Sequence, residues 1–440
     1  MSNSRQGPPF DFYARDVETL DRKELRALQD RRVRALTVQI AGNEFYKQRA
    51  RATGVDLEKI ETLPDLGRLP YLTKSDLVRE QNEHPRYGRL PTYPLDDYRY
   101  FHQTSGTTGE PLKWLDTAES WDWFTRCWCY VYRAAGVKDT DVVFCAFSFG
   151  PYISHWVAMS GARCIGALAI SGGGLGSDQR IQMILSHGCT AIVCTPTYAL
   201  HLAEVATKSG IDLRGSKVRI VMCAGEPGGS LPNVKRAIET AWGAKCFDHV
   251  GATEVGAWAF GCEAESGAIH LNEAEFVFEI IDPVTLEPVE AGARGELVVT
   301  NLGRAAMPVL RYRTGDLVEL ATEPCGCGRT FLCVKGGVLG RSDDMIILRG
   351  VNLYPAAIDD LIRSLGQVLE YEVEVERRHA LDDMLIRIEA LDGLEPEFVA
   401  QSVSDALRRK FNIRVAVEPV RSGSLPRYEF KARRVKRVER

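Results

Sequence analysis

The sequence predicts an α/β protein with a large N-terminal domain of parallel and mixed sheets and a small α+β domain behind it. Three observations carry this. From residue 140 to 300, short apolar runs alternate with helical stretches, as buried parallel strands alternate with crossover helices. Residues 276–300 change character, giving two strand-like runs across a Pro/Gly-rich turn that suit an antiparallel pair. After residue 343 come a proline-started helix, an alternating strand, a partner strand and an amphipathic helix. The boundary therefore falls between 342 and 343, giving domains 1–342 and 343–440.

Each element has a local cause. Residues 15–50 read as helical, with Leu20, Leu25, Leu28, Val33 and Leu36 on an apolar stripe. At Leu72-Thr-Lys-Ser-Asp-Leu a helix starts, with Thr73 or Ser75 as its cap. Asp141–Ala146, Ala191–Thr195 and Val218–Cys223 suit buried strands, with helices over Asp178–His187 and Tyr198–Ser209. Phe276–Ile281 and Gly295–Thr300 form the antiparallel pair. In the small domain Pro355–Arg363 is a helix, Tyr371–Glu376 and Met384–Leu391 are paired strands, and Glu397–Phe411 is a helix. The basic segment Lys431–Arg440 is expected to be a solvated tail, Lys431 excepted. No internal repeat or long low-complexity linker interrupts the chain.

Composition bounds the function. With 440 residues the chain has room for two or three domains. Hydrophobic content of 45% and charged content of 26% are ordinary for a globular protein, and a net charge of −4 argues against a strongly basic nucleic-acid binder. No apolar run approaches the roughly 18 residues of a membrane span. The start of the chain shows no secretory h-region, so its twelve cysteines are expected to be reduced thiols in a cytoplasmic protein. Cys145, Cys194 and Cys223 sit in apolar runs and read as core.

Thr104-Ser-Gly-Thr-Thr-Gly-Glu-Pro111 packs four hydroxyls and two glycines behind an aromatic strand-like run. Glycines let backbone amides turn inward and hydroxyls add donors, which suits a phosphate. It is not the common P-loop, because no lysine follows the second glycine. Further segments follow in order: Ala224-Gly-Glu-Pro227, Gly251-Ala-Thr-Glu254, Tyr312-Arg-Thr-Gly-Asp316, Gly340-Arg-Ser-Asp-Asp344 running into Ile347-Leu-Arg-Gly350, and Gly423-Ser-Leu-Pro-Arg-Tyr-Glu-Phe-Lys431. In this order they resemble the adenylate-forming superfamily. Leu69-Pro-Tyr-Leu-Thr-Lys-Ser-Asp-Leu and Ala306-Met-Pro-Val-Leu-Arg-Tyr-Arg-Thr-Gly-Asp make the phenylacetate–CoA ligase type the nearest resemblance, over residues 17–440.

The resemblance implies an ATP-dependent ligase that makes an acyl-adenylate and then a CoA thioester, with a small domain that rotates between the steps. Ser105, Gly106, Thr107, Thr108 and Gly109 would hold the β- and γ-phosphates. Gly225, Glu226 and Pro227 would line the nucleotide pocket, Asp316 would accept the ribose hydroxyls and Arg341 would add a contact there. Thr253 would donate to the α-phosphate, Glu254 would bind Mg²⁺, and Lys431 would bridge substrate carboxylate and α-phosphate. Asp343 is the hinge position, and Gly350 lies where the thiol tunnel leaves no room for a side chain. One departure concerns adenine: Val250 stands where the family often has an aromatic, leaving His249, Ala257 or Trp258 to rebuild that wall.

Two further groups stand out. Cys262, His270, Cys325 and Cys327, in the subregion 262–327, offer three thiolates and an imidazole, the closed set of a structural Zn²⁺ site, with Cys333 as a spare thiol. Phe147, Phe149, Tyr152 and His155, with Ala224 and Gly251, form the expected acyl pocket, whose aromatic density suits an aryl or arylacetic acid. His155 or Ser154 would meet a ring substituent. The expected partners are that acid, ATP and CoA; a carrier-protein thiol or an amine is the alternative acceptor, and a homodimer is the assembly left open. A regulatory nucleotide-binding protein is a third reading, opposed by intact Glu254, Asp316 and Lys431.

Overall fold

The computed structural model describes residues 10–104, 110–264, 267–290, 292–348, 351–378, 381–428 and 431–439. The chain opens with α1 (Arg15–Glu18), α2 (Arg22–Gln39) and α3 (Glu44–Ala52) rather than one long helix. Side chains make the breaks: Asp21 closes a capping box with Glu24, and Asn43 accepts from the Tyr46 amide. A short α4 (Leu63–Leu66) precedes α5 (Lys74–Glu83), capped by Thr73 in a box with Asp76. Then β1 (Tyr100–Gln103) and β2 (Lys113–Asp116) pair as an antiparallel hairpin.

The nucleus is a run of strands and helices: α6 (Ala118–Ala134), β3 (Val142–Cys145), α7 (Ile153–Cys164), β4 (Leu168–Ser171), α8 (Ser177–Ser186), β5 (Ala191–Cys194), α9 (Pro196–Lys208), β6 (Ile220–Ala224), α10 (Pro232–Trp242) and β7 (Lys245–Ala252). Behind them follow β8 (Gly256–Gly261), β9 (Ala268–Leu271), β10 (Phe276–Ile281), β11 (Arg294–Asn301), β12 (Tyr312–Glu319), β13 (Cys333–Lys335) and β14 (Gly340–Arg341). One eight-stranded sheet runs β13-β9-β8-β7-β6-β5-β3-β4, parallel from β7 to β4 and antiparallel beyond. The central parallel strands β3, β5 and β6 are apolar throughout because helices cover both faces. Ile181, Tyr198, Leu202, Ile238 and Trp242 from α8, α9 and α10 pack one face, while α6 and α7 belong to the other core. A second sheet, β10-β11-β12-β14, is antiparallel.

The small domain contains β15 (Ile346–Leu348), β16 (Val351–Leu353), α11 (Pro355–Ser364), β17 (Val368–Arg378), β18 (Leu381–Ala390), α12 (Pro396–Phe411), β19 (Ala416–Pro419) and β20 (Val435–Glu439). It has its own core, centred on Val373, Ile386, Ile388, Val403 and Leu407. The tail expected to be solvated is instead β20, which joins β17 in parallel at the sheet edge. Charge explains the difference. Arg434 pairs with Glu370 at 2.6 Å and Lys436 with Glu372 at 2.5 Å, so the basic segment meets the acidic residues of β17.

Candidate active site

Most of the site collects at the C-terminal ends of the parallel strands, the usual crevice of an open α/β sheet. The hydroxyl-rich loop hangs from the β1–β2 hairpin. Ser105, Gly106, Thr107, Thr108 and Gly109 lie outside the described residues, but the root of their loop is well made. The Thr104 amide donates to the Leu112 carbonyl at 2.9 Å, and the Leu112 amide donates to Thr104 Oγ1 at 2.9 Å. The Gln103 amide donates to the Pro151 carbonyl at 2.8 Å, tying the hairpin to the expected pocket segment.

An arginine that sequence reasoning missed connects this hairpin to Thr253, the neighbour of Glu254. Arg304, fully buried, makes a two-pronged ion pair with Asp116 of β2 at 2.7 and 2.6 Å and donates to the Thr253 carbonyl at 2.5 Å. Asp116 and Arg304 lie 188 residues apart, so no local pattern signals them. Glu254 is buried, and Tyr312 donates to its Oε1 at 2.9 Å, while no hydrogen bond to Oε2 is made among the described residues. Burial and the facing Glu254 carboxylate hold the Tyr312 phenol well above its ordinary pKa, so it stays a donor.

Asp316 follows on β12. Arg341 donates to its Oδ1 at 3.2 Å and holds both oxygens of Asp343 at 2.9 Å, so one guanidinium joins the expected ribose ligand to the expected hinge. Gly350 lies outside the described residues. Burial raises the Asp316 pKa to about 6, against the lowering pull of Arg341 and Lys431, with Asp343 adding to the rise. As pH falls through about 6 the carboxyl gains a proton and loses its strength as an acceptor for two hydroxyls. The KM for ATP is therefore expected to be flat above about pH 7 and to climb below about 6. Steady-state kinetics from pH 5 to 8 with Asp316→Asn alongside checks this, and a wild-type profile flat to pH 5 would reject it.

Lys431 arrives from the small domain. Its Cε lies 3.6 Å from where a Cβ would stand on Gly225, a residue whose φ of +96° also favours glycine. Burial lowers the Lys431 pKa, while the negative charges of Glu226 and Glu254 oppose the shift. Glu226 faces the lysine segment: the Ala432 amide donates to its Oε2 at 2.7 Å and the Thr197 amide to its Oε1 at 3.0 Å. Pro227 is exposed beside it, and Ala224 ends β6, buried.

The pocket segment divides. Phe147 is buried, whereas Phe149 and Trp156 are 53% and 43% exposed. Tyr152 is half-buried. Phe149 covers Gly173, where a Cβ would stand only 2.8 Å from its ring, and meets His155 edge-on with centroids 5.0 Å apart. His155 is buried with Nε2 3.3 Å from Ser171 Oγ, and desolvation lowers its pKa, keeping the imidazole neutral. Behind it Arg180, also unnoticed in the sequence, donates to the Gly172 carbonyl at 2.9 Å and to Ser148 Oγ at 3.3 Å, clasping two loops together. Gly251 is exposed at a bulge in β7, where a Cβ would stand 3.3 Å from His249 Nε2. His249 packs on Trp128 and its Nδ1 lies 2.9 Å from the Ala259 carbonyl, which can only accept. Nε2 is therefore left as an acceptor, and burial holds this pKa near 4. Trp258 is in the core against Phe278, which removes it as an adenine wall.

Away from the crevice, Cys262, His270, Cys325 and Cys327 come together, all buried, with ligand atoms within 4.8 Å of one another. Cys262 Sγ and Cys325 Sγ are 3.6 Å apart, and Cys327 Sγ is 3.4 Å from His270 Nε2. A tetrahedron with metal–sulfur bonds of about 2.3 Å has edges of about 3.8 Å, so four soft donors are spaced for one Zn²⁺. Cys333, directly opposite His270 in the β13–β9 register, is not among the four.

This fold and site define a class: the chain belongs to the AMP-binding, adenylate-forming enzymes. The AMP-binding enzyme family matches residues 14–307, and the AMP-binding enzyme C-terminal domain matches 350–437. Within that class it belongs to the phenylacetate–CoA ligase type, the AMP-forming acid–thiol ligases. It is 31% identical to phenylacetate-coenzyme A ligase of Thermus thermophilus, over 90% of this chain and 88% of that protein. The same enzyme of Escherichia coli is 31% identical, over 95% and 96%. A crystal structure of 2-hydroxyisobutyryl-CoA ligase in its postadenylation state superposes with a TM-score of 0.92 at 28% identity, over 100% of this chain and 95% of that one. In its thioesterification state with CoA the TM-score is 0.72 at 29% identity, over 96% and 91%. The arrangement of this chain is thus the one seen when that enzyme has made its adenylate. No helix among the described residues is long and apolar enough to cross a membrane.

Proposed function

We propose that this protein joins an aromatic carboxylic acid, aryl or arylacetic, to coenzyme A at the expense of ATP. The observation that carries the reading is Lys431, delivered by the small domain to Gly225 and facing Glu226 and Glu254. In the first step a carboxylate oxygen attacks the α-phosphorus and the bond to pyrophosphate breaks. Two anions meet there, so fixed positive charge at the reacting atoms lowers the barrier. Lys431 supplies it between carboxylate and α-phosphate. The loop on the β1–β2 hairpin holds the departing pyrophosphate, Thr253 donates to the α-phosphate, and Asp316 accepts the ribose hydroxyls. Glu254, whose Oε2 has no hydrogen-bond partner among the described residues, would hold Mg²⁺, which supplies charge neutralisation on the phosphates. In the second step the CoA sulfur attacks the acyl carbonyl, AMP leaves, and the thiol proton passes to solvent. Asp343 is the hinge and Gly350 the thiol passage in this reading, and 342/343 is the domain boundary.

The pocket segment supports a flat acyl group because the Phe149 and Trp156 rings flank neutral His155, which offers one polar contact to a ring substituent. An ATP–pyrophosphate exchange panel of phenylacetate, benzoate, 2-aminobenzoate, 4-hydroxybenzoate and hexanoate tests it. One of the aromatic acids is expected to exceed hexanoate by about tenfold or more, since losing a ring's burial costs over 1.4 kcal/mol. CoA and a holo-carrier protein are then offered as acceptors, and CoA is expected to react. Exchange with none of these acids would overturn the assignment. Cys262, His270, Cys325 and Cys327 would hold a structural Zn²⁺, cross-linking the β8–β9 region to the Cys325–Cys327 knuckle. With four protein ligands it leaves no open position for substrate.

A further inference from the structure

The small domain grips the large one at several polar contacts, and one of them caps a helix. Arg427 joins Glu204 on α9 to Glu389 on β18, at 3.3 and 2.7 Å, and Arg434 joins Thr197 to Glu370, at 3.3 and 2.6 Å. Both are bridges between side chains. Asp360 on α11 instead reaches the first turn of α10, at the backbone.

Helix α10 begins at Pro232, and its N-cap, Leu231, has no side chain that can accept a hydrogen bond. Its first turn would be left with orphan amides. Asp360 fills the place: Oδ1 accepts from the Asn233 amide at 3.0 Å and Oδ2 from Asn233 Nδ2 at 3.1 Å. A carboxylate here both satisfies an orphan donor and meets the positive end of the helix dipole. Asp360 is only 9% exposed, and Ala356, one turn earlier on α11, packs within the apolar layer of α8, α9 and α10. Lys410, 3.7 Å from Oδ2, is the cation paired with it among the described residues and belongs to the small domain. The cap of a large-domain helix is thus provided in trans, by the domain that carries Lys431.

We propose that Asp360 is a positioning residue for the adenylation step, capping α10 across the domain boundary and so holding the small domain where Lys431 enters the crevice. The proposal rests on the role given to Lys431 above. A contact made in one domain orientation and absent from the other shifts that equilibrium by its whole free energy. Loss of an N-cap is worth about fivefold, and the charge adds to it, so an effect of about five- to twentyfold is expected.

The test uses the full-length enzyme and the best acid of the panel above. Asp360→Ala should slow ATP–pyrophosphate exchange by about five- to twentyfold, yet keep CoA thioester formation from supplied acyl-adenylate within about twofold. Asp360→Asn, whose amide oxygen still accepts from the Asn233 amide, should retain most of the exchange rate. Asn233→Asp sets two carboxylates against each other from the large-domain side and should reproduce the loss if the alanine variant folds poorly. A parallel fall of both half-reactions, or exchange within about twofold of wild type for both Asp360→Ala and Asn233→Asp, would overturn the proposal. Lys431→Ala is the control: if it leaves exchange intact, the function assigned above fails, not the latch alone.

Discussion

Replacing Lys431 with alanine will slow ATP–pyrophosphate exchange by about 10² or more, the usual cost of losing one preorganised electrostatic stabiliser. The geometry makes this the most damaging change in the crevice. The Lys431 side chain ends at Gly225 within the fields of Glu226 and Glu254, and it is desolvated there, where a charge acts more strongly than in water. Thioester formation from supplied acyl-adenylate is expected to survive, because the carboxylate–phosphate contact assigned to Lys431 in the proposed mechanism does not recur in that step. Single-turnover assays of each half-reaction check both arms. Equal failure of the two would remove the role given to Lys431. Arginine is not expected to rescue exchange, since its planar, delocalised fork does not present the compact point charge of an ammonium.

Loss of the zinc ligands is expected to have the largest effect on stability. Protein purified without added zinc should carry about one equivalent of the metal, and less than half an equivalent would count against the site. Cys327→Ser should release the metal and lower the melting midpoint by about 5 °C or more. The reason extends beyond the four ligands. The Arg329 amide donates to Cys327 Sγ at 3.4 Å, and its guanidinium pairs with Glu18 at 2.6 Å, with side chains 1% and 0% exposed. Glu18 ends α1, so the knuckle also anchors the start of the chain. Breaking a buried ion pair of this kind costs about 3–5 kcal/mol. Exchange activity per folded molecule should stay within about twofold, because a four-ligand site takes no part in the chemistry. Activity lost ahead of unfolding would contradict a purely structural metal.

The large elements were legible because their causes are local. Thr73 and Asp76 lie within one turn of the helix they cap, and the buried strands β5 and β6 declare themselves as apolar runs. The breaks in the N-terminal helix were harder, because the apolar stripe continues across Asp21 and Asn43 while the caps interrupt the backbone. The basic tail misled for an electrostatic reason. A run of Arg and Lys reads as solvated until an acidic strand such as β17 lies beside it.

By itself the sequence determined the fold class, the order of the motifs and the residue types of the crevice, since backbone turns, caps and hydroxyl-rich loops are written in neighbouring residues. Tertiary structure alone decided who holds them. Arg304 and Asp116 join the hairpin to Thr253 across 188 residues, Arg341 links Asp316 to Asp343, and Glu226 meets the lysine segment from 206 residues away. It also gathered Cys262 and Cys325, 63 residues apart, around one point. Such pairings depend on how sheets and domains close on one another, and the free energy of a buried ion pair or an interdomain cap leaves no periodicity in the chain.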